Sequence, residues 1–334
     1  MEADPFSFDA IFKEAVTAID QGDEVRLRQL LDAYPDLVTQ RLTEPGEWLT
    51  SVIGNDLQGF FKDPYLLWFV AEDAVRNKTL PPNITAIADI IIRKLKTEKA
   101  ESLQKQLDYT LTLVAWSWVA RECGVQIALL DKLLDAGADP AGAPNNALVN
   151  GHSAAAAHLL NRGAPLTLAS ALHFGRWAEA DELAETAEQE EKQFSLTLSA
   201  LNGRAQAVQR MIGYGADINR PARDLYSHGT PLHHAVWSGS LETVQLLVEA
   251  GARTDIQDTA YGGTPLGWAD YGDRKVIGDY LRGLGLGRPG RNFIAGTVAR
   301  GGIFQSRAGQ FSETRLILFN NCLYFQNHIV FDFV

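Results

Sequence analysis

Thr230-Pro231-Leu232-His233 opens the stretch that decides the fold. Ala235 and Gly239 follow it, and an apolar run at helical spacing then ends at Gly251-Ala252. Thr264-Pro265-Leu266 restarts the same pattern after a period of about 33 residues. A fixed period of this length indicates a repeat protein, in which each unit is a small supersecondary structure that stacks on its neighbours.

The chemistry of the motif predicts a pair of short helices. Thr230 can cap the first helix, and Pro231 suits its first position, where a missing N–H costs nothing. We expect His233 to hydrogen-bond the neighbouring turn and so to tie adjacent repeats together. The second helix is apolar on one face, and we expect Gly251 to end it in the left-handed conformation.

Weaker copies of the pattern lie upstream of Thr230. They run through Leu198-Ser199-Ala200 to Gly215-Ala216, through Ala147-Leu148 to Gly163-Ala164, through Leu129-Leu130 to Gly137-Ala138, and faintly from Ile19 to Pro35. In these residues the chain resembles the ankyrin repeat family, and more specifically the divergent ankyrin repeat proteins of bacteria. The resemblance implies an all-α solenoid of stacked helix pairs with hairpin fingers, which is used to bind proteins.

The pattern divides the chain into four segments. They are an N-terminal helix pair that could cap the array (1–47), a segment without the repeat (48–122), the repeat array (123–284), and a Gly-rich stop with an apolar tail (285–334). The second segment predicts longer helices at Pro64 to Val75, Ile84 to Leu95 and Leu103 to Val119. It is either a helical insertion packed on the array or a set of degenerate repeats, and we favour the insertion.

The last repeat and the tail depart from the pattern. Gly267 replaces the histidine of the motif, and Gly272 predicts a chain reversal one residue earlier than in the preceding repeat. The tail contains β-prone runs at 316–319, 323–325 and 329–331. They could form a hairpin on a partner's edge, touch a membrane, fold on the last repeat, or be unrelated to this fold. We favour the last two readings.

Composition restricts the class of partner. The 334 residues carry a net charge of −11, which disfavours nucleic acid as the main partner. Two cysteines far apart in the sequence predict no disulfide framework, as in the cytoplasm. The sequence has no run of 18 apolar residues, so we expect no membrane span. Residues 1–9 do not resemble a secretory signal.

Three patterns suggest chemistry, and each has a simpler explanation. Gly285 to Gly290 matches G-x-G-x-x-G, but a helix precedes it where a strand is needed. His228, His233 and His234 lack a cysteine at a zinc-ligand spacing. Cys123 has no base beside it in the sequence. We therefore predict no catalytic residue, no metal site and no cofactor.

A protein-binding surface is the better prediction. In ankyrin repeats, the variable positions lie at the finger tips and on the first helix after its alanines. Carried over to this sequence, with the neighbouring aromatic and histidine positions, the candidates are Tyr226, His228, His234, Trp237, Ser238, Tyr261, Trp268, Asp270 and Tyr271. We expect Trp237 to be exposed and His234 to face the concave surface. Seven acidic residues between Glu179 and Glu191 form either a docking face or, as we favour, a solvated helix face.

Two functions of different classes remain. The favoured one is a non-enzymatic, cytoplasmic adaptor or regulator that binds a protein partner through the concave face and the fingers. The alternative is an enzyme or a small-ligand-binding protein with its site in residues 48–122, which would require a pocket lined by converging carboxylates or histidines. The sequence indicates neither the identity of the partner nor the oligomeric state.

Overall fold

Helices are the only regular secondary structure in the described part of the chain. A computed structural model describes residues 7–284; the predicted tail strands and the glycine motif at Gly285 lie outside them. Within 7–284 the chain forms eighteen α-helices and two 3-10 helices, with no β-strand, which confirms the all-α prediction there. No helix in this range is both long and apolar enough to span a membrane. The chain divides into two compact units after Leu166.

The first unit contains ten α-helices. They are α1 (Phe8–Gln21), α2 (Glu24–Ala33), α3 (Asp36–Thr39), α4 (Glu47–Ile53), α5 (Ile84–Thr97), α6 (Leu103–Trp116), α7 (Trp118–Glu122), α8 (Gln126–Ala136), α9 (Ala143–Val149) and α10 (Ser153–Asn161). Two 3-10 helices, Gly54–Gln58 and Leu66–Ala71, lie between α4 and α5.

The helices of this unit follow one another in two rows. One row runs from α1 through the 3-10 helix Leu66–Ala71 to α6 and α9, each in contact with the next. The other runs through α2, α5, α8 and α10 in the same way. From these contacts we propose that residues 48–122 hold degenerate helix pairs rather than an insertion, because one of the successive pairs lies within this segment and the first helix of the next pair also belongs to it.

Two of the helices predicted in this segment are wrong in detail. Pro64 to Val75 forms only the 3-10 helix Leu66–Ala71, all of whose residues are buried. The helix cannot continue because Glu72 adopts a left-handed conformation (φ 50°) and its carboxylate accepts the backbone N–H groups of Arg76 and Lys78. Leu103 to Val119 is broken at Ser117, whose extended backbone ends α6 and whose hydroxyl caps α7 by accepting from the Ala120 N–H.

The second unit consists of four helix pairs. They are α11 (Leu168–His173) with α12 (Trp177–Thr186), α13 (Gln189–Leu201) with α14 (Ala205–Gly213), α15 (Pro231–Ser238) with α16 (Leu241–Glu249), and α17 (Pro265–Tyr271) with α18 (Lys275–Gly283). The first helices α11, α13, α15 and α17 contact one another in succession. Leu232, Ala235, Val244 and Leu247 are fully buried, so stacked neighbours complete the core that one pair cannot make alone.

The structure confirms the expected roles of the motif residues. Pro231 occupies the first turn of α15, where the backbone N–H of Thr230 donates to His233 Nδ1 at 3.2 Å. Gly251 follows α16 with φ 96°, and the N–H groups of Gly251 and Ala252 donate to Val248 and Leu247. The glycine therefore forms a left-handed helix cap.

The reversal in the last pair lies one residue later than predicted. Gly272 has φ −81° and continues the helical turn, whereas Asp273 has φ 53° and reverses the chain. Aspartate enters the left-handed region more readily than most residues with a Cβ. The last repeat therefore has the same spacing as its predecessor, with Asp273 in the place that Gly239 occupies there.

Replacing Gly251 with Val should lower the free energy of unfolding by about 1–3 kcal/mol. A Cβ at this position would meet no atom within 4 Å, so the whole cost comes from the backbone conformation. Urea melts measure the change. Glu249→Gln, on the exposed end of the same helix, is the control and should change stability by less than about 0.5 kcal/mol. Equal midpoints for the two variants would contradict the assigned cap.

Replacing Asp273 with Gly should raise the free energy of unfolding by up to about 1 kcal/mol, because glycine reaches φ 53° without a steric cost. Thermal melts of Asp273→Gly and Asp273→Ala form the comparison. The alanine variant keeps the Cβ and should not be stabilised. Stabilisation of both variants would show that the aspartate side chain, rather than its backbone conformation, is the source of the strain.

Candidate functional site

Asp258 organises the finger that precedes α17. Its side chain is buried, and its carboxylate accepts the backbone N–H groups of Ala260, Tyr261 and Gly263 at 2.6–2.9 Å. The indole N–H of Trp268 donates to the same carboxylate at 2.9 Å. One side chain thus fixes both the finger and the first helix of the last pair, and it leaves the Tyr261 side chain exposed.

His233 ties two neighbouring helix pairs together, as its motif predicts. Its Nε2–H donates to the carbonyl of Gly263 in the next finger at 3.0 Å. Its Nδ1 accepts from the Thr230 N–H, and the Thr230 hydroxyl lies 2.8 Å from the same nitrogen. Because both nitrogens have partners and the ring is fully buried, His233 has a structural role.

A cluster of rings surrounds the indole of Trp268. His228 stacks on it at a centroid distance of 5.7 Å, while His233 and His234 meet it edge-on at 5.1 and 5.8 Å. Trp237 also packs edge-on at 6.2 Å. We call Tyr226, His228, His233, His234, Trp237 and Trp268 the ring cluster; all six side chains are buried.

Burial keeps the titratable groups of the ring cluster neutral. Desolvation lowers the pKa of His233 to about 4 and that of His234 to about 3. It also lowers the pKa of His228, against an opposing effect of the Asp258 charge. Burial raises the pKa of the Tyr226 phenol. Within residues 7–284, no three His, Cys, Asp or Glu side chains are grouped in a way that could hold a metal ion.

The nine predicted binding residues separate into exposed and buried groups. Tyr261, Asp270 and Tyr271 are exposed, the two tyrosines by 43% and 53%. Ser238 is half-buried, and its hydroxyl donates to the Ala235 carbonyl at 2.7 Å. The other five, which are Tyr226, His228, His234, Trp237 and Trp268, belong to the ring cluster.

The expected exposure of Trp237 and His234 is wrong. Trp237 is only 8% exposed because the next helix pair covers it: Trp268 packs on its ring, and Arg274 Nη2 donates to its carbonyl at 2.8 Å. His234 is 1% exposed, between Tyr226 and Trp268. The variable positions of one repeat are here the contact positions for the next.

Sequence reasoning missed Asp258 and Arg274. Asp258 lies five residues before Gly263 and six before Thr264, so the sequence of the finger itself contained a signal for the role of Asp258. An aspartate followed by small residues and glycine is typical of a turn whose carboxylate caps backbone N–H groups. Arg274 gave no such signal, because its partner Trp237 belongs to the preceding repeat.

The first unit has a hollow near the segment proposed for the alternative site. Its volume is about 400 Å³, and its lining consists of Thr43, Pro45, Thr50, Gly54, Asn55, Leu57, Gln58 and Asp63. The lining holds one carboxylate and neither histidine nor cysteine, so it lacks the converging groups that an enzyme site would require. Nearby, burial raises the pKa of Asp56 to about 6.

Comparison with known proteins agrees with the helix-pair geometry. A family model described as ankyrin repeats (3 copies) matches residues 117–258 and 196–277. Residues 117–277 contain ankyrin repeats. The ring cluster and the Asp258 finger thus lie in an ankyrin array, and His233 makes the hydrogen bond between its repeats.

Two curated relatives support this assignment. The chain is 31% identical over 99 residues to cyclin-dependent kinase inhibitor 2A of Homo sapiens, a match that covers 30% of this chain and 62% of the relative. It is 34% identical over 80 residues to the protein of the same name from Monodelphis domestica, covering 24% and 45%. The chain spans less than two thirds of either relative. Both are mammalian, so the narrower likeness to bacterial ankyrin proteins remains a prediction.

Replacing Asp258 with Asn should lower the free energy of unfolding by about 1–3 kcal/mol, because an amide NH₂ cannot accept the N–H groups that now bind the carboxylate. Asp255→Asn is the matched control: its side chain is 70% exposed and pairs with Arg253 at the surface. It should cost less than about 0.5 kcal/mol. Urea melts of both variants measure the difference, and equal losses would mean that Asp258 does not organise the finger.

Proposed function

We propose that the ankyrin array binds a protein partner and regulates it without catalysing a reaction. The observation that carries the proposal is the pair of exposed tyrosines, Tyr261 on the finger and Tyr271 at the end of α17. Tyrosine combines a large apolar ring with a hydroxyl, and it is enriched among the residues that dominate binding energy. Asp270 adds an exposed carboxylate beside Tyr271.

The scaffold under these side chains is rigid. Asp258 accepts the N–H of Tyr261, and the α17 helix that carries Tyr271 is held through Trp268. A backbone fixed in this way loses little further conformational freedom on binding. A regulatory role is also suggested by the two relatives, whose names describe inhibitors of cyclin-dependent kinases. We propose that the protein acts in the cytoplasm.

The enzyme alternative has less support. The hollow lined by Thr43 and Asp63 offers hydroxyls, amides and a single carboxylate. Among the described residues it brings no histidine to a nucleophile. The geometry of the array, in contrast, exposes large side chains on a fixed surface and needs no reacting group.

Replacing both Tyr261 and Tyr271 with Ala should weaken the binding of the protein partner at least about tenfold, because two hot-spot aromatics are removed. Co-purification with the whole chain identifies the partner, and titration calorimetry with the purified partner gives the affinity. Melting curves check that the double variant is folded.

Tyr34→Ala is the control for this experiment. Tyr34 is 40% exposed at the end of α2 and belongs to the first unit, so its loss should leave the affinity unchanged. The proposal fails if the double variant binds as well as the unaltered chain. It also fails if Tyr34→Ala is the variant that loses the partner.

A further inference from the structure

Three buried histidines converge on one tryptophan between the last two helix pairs. His228, His233 and His234 are 3%, 0% and 1% exposed, and all three rings lie within 5.8 Å of the Trp268 ring, centroid to centroid. His228 and His234 also face each other at 6.0 Å. His233 and His234 belong to α15 and Trp268 to α17, so these contacts join one pair to the next.

None of these histidines has room for a second proton. The Nδ1 of His233 already accepts the Thr230 N–H, and its Nε2–H is used on Gly263, so protonation at Nδ1 would oppose two N–H groups. The Nε2 atoms of His228 and His234 are buried and meet no hydrogen-bond partner among residues 7–284. A charge at any of the three rings would therefore be buried with poor hydrogen bonding.

The carboxylate of Asp258, which lies beside these histidines, cannot accept a hydrogen bond from a newly protonated ring. A carboxylate has about four acceptor positions. Asp258 already fills them with the N–H groups of Ala260, Tyr261 and Gly263 and with the indole of Trp268. The other titratable group facing His228 and His234 is Tyr226, whose phenol stays neutral because of burial.

We propose that the three histidines form an acid-sensitive latch, whose protonation releases α17, α18 and the Asp258 finger from α15. In the closed state the rings are neutral and hold the indole. In the open state they are solvated and each binds a proton. The carboxylate of Asp258 then loses the indole N–H, and the finger loses its tie to His233.

The direction of the pH effect follows from the histidine pKa values. In the open state a histidine titrates near its usual value of about 6.5, whereas burial holds the pKa of His233 to about 4 and of His234 to about 3. The closed state therefore binds fewer protons, and its stability falls as the pH drops below about 6.5. With three protons taken up, the opening constant rises by up to about 1000-fold for each pH unit.

This latch would act on the surface proposed above. Tyr261 belongs to the finger that Asp258 holds, and Tyr271 to the helix that carries Trp268. Opening would separate both tyrosines from their rigid support and release a bound protein at mildly acidic pH. That consequence rests on the proposed function, whereas the opening itself does not.

Hydrogen–deuterium exchange of the whole chain between pH 7 and pH 5 tests the latch without any partner. After correction for intrinsic exchange rates, peptides from α17 and α18 should show an opening constant that rises as the pH falls. The slope of its logarithm against pH should approach three protons. Peptides from α1 and α2, which contain no histidine and pack on helices that contain none, should change far less. A flat opening constant for α17 and α18 between pH 6.5 and pH 5 would overturn the proposal.

The double variant His228→Phe and His234→Phe keeps two aromatic rings and removes two titrating groups. In this variant, the slope of the logarithm of the opening constant against pH should fall to about one proton. His158→Phe is the control, because this histidine lies on α10 and pairs with Asp131 at the surface; it should keep the full slope. The proposal is wrong if the double variant keeps the slope of the unaltered chain.

A second measurement covers the case in which the double variant does not fold. In the unaltered protein at pH 5.5, the imidazole proton resonances of closed molecules should remain those of neutral rings for His228, His233 and His234. Titration of these three rings near pH 6.5 while α17 stays protected from exchange would contradict the latch.

Discussion

The hydrogen bond from His233 Nε2 to the Gly263 carbonyl ties the last two helix pairs of the second unit together. A helix pair of this size buries too little apolar surface to be stable alone, so it must be held against the next one. His233 makes that link while its other nitrogen accepts the N–H that begins its own helix. One buried ring therefore fixes the start of α15 and the position of the following finger together.

The buried carboxylate of Asp258 completes the link from the other side. It closes the finger on itself through backbone N–H groups and reaches α17 through Trp268. Polar groups that are fully paired in this way can be buried without a large penalty, whereas losing one partner leaves the rest uncompensated. Because Asp258 has no acceptor position left, the surrounding histidines must stay neutral while the junction is closed.

In the first unit, charged side chains form ion pairs between neighbouring helices. Lys94 on α5 pairs with Asp32 on α2 at 3.3 Å, and Lys132 on α8 pairs with Asp89 on α5 at 3.2 Å. These pairs join successive helices of one row at the surface, where each contributes little to stability. Most of the stability of this row comes instead from buried apolar residues such as Ile87, Ile91 and Leu129.

The sequence by itself determined the helix pairs, because their signals are local. Thr230, Pro231 and Gly251 act within one turn of their own helices, so their conformations could be predicted from spacing and residue type. The tertiary structure alone decided the burial of Trp237 and the short 3-10 helix at Leu66–Ala71. Trp237 is covered by groups from the next repeat, and the Glu72 carboxylate at the end of the 3-10 helix is held by Arg76, which pairs with Asp20 of α1, 56 residues away in the sequence. A side chain's exposure depends on neighbours that are distant in sequence, and no local pattern contains them.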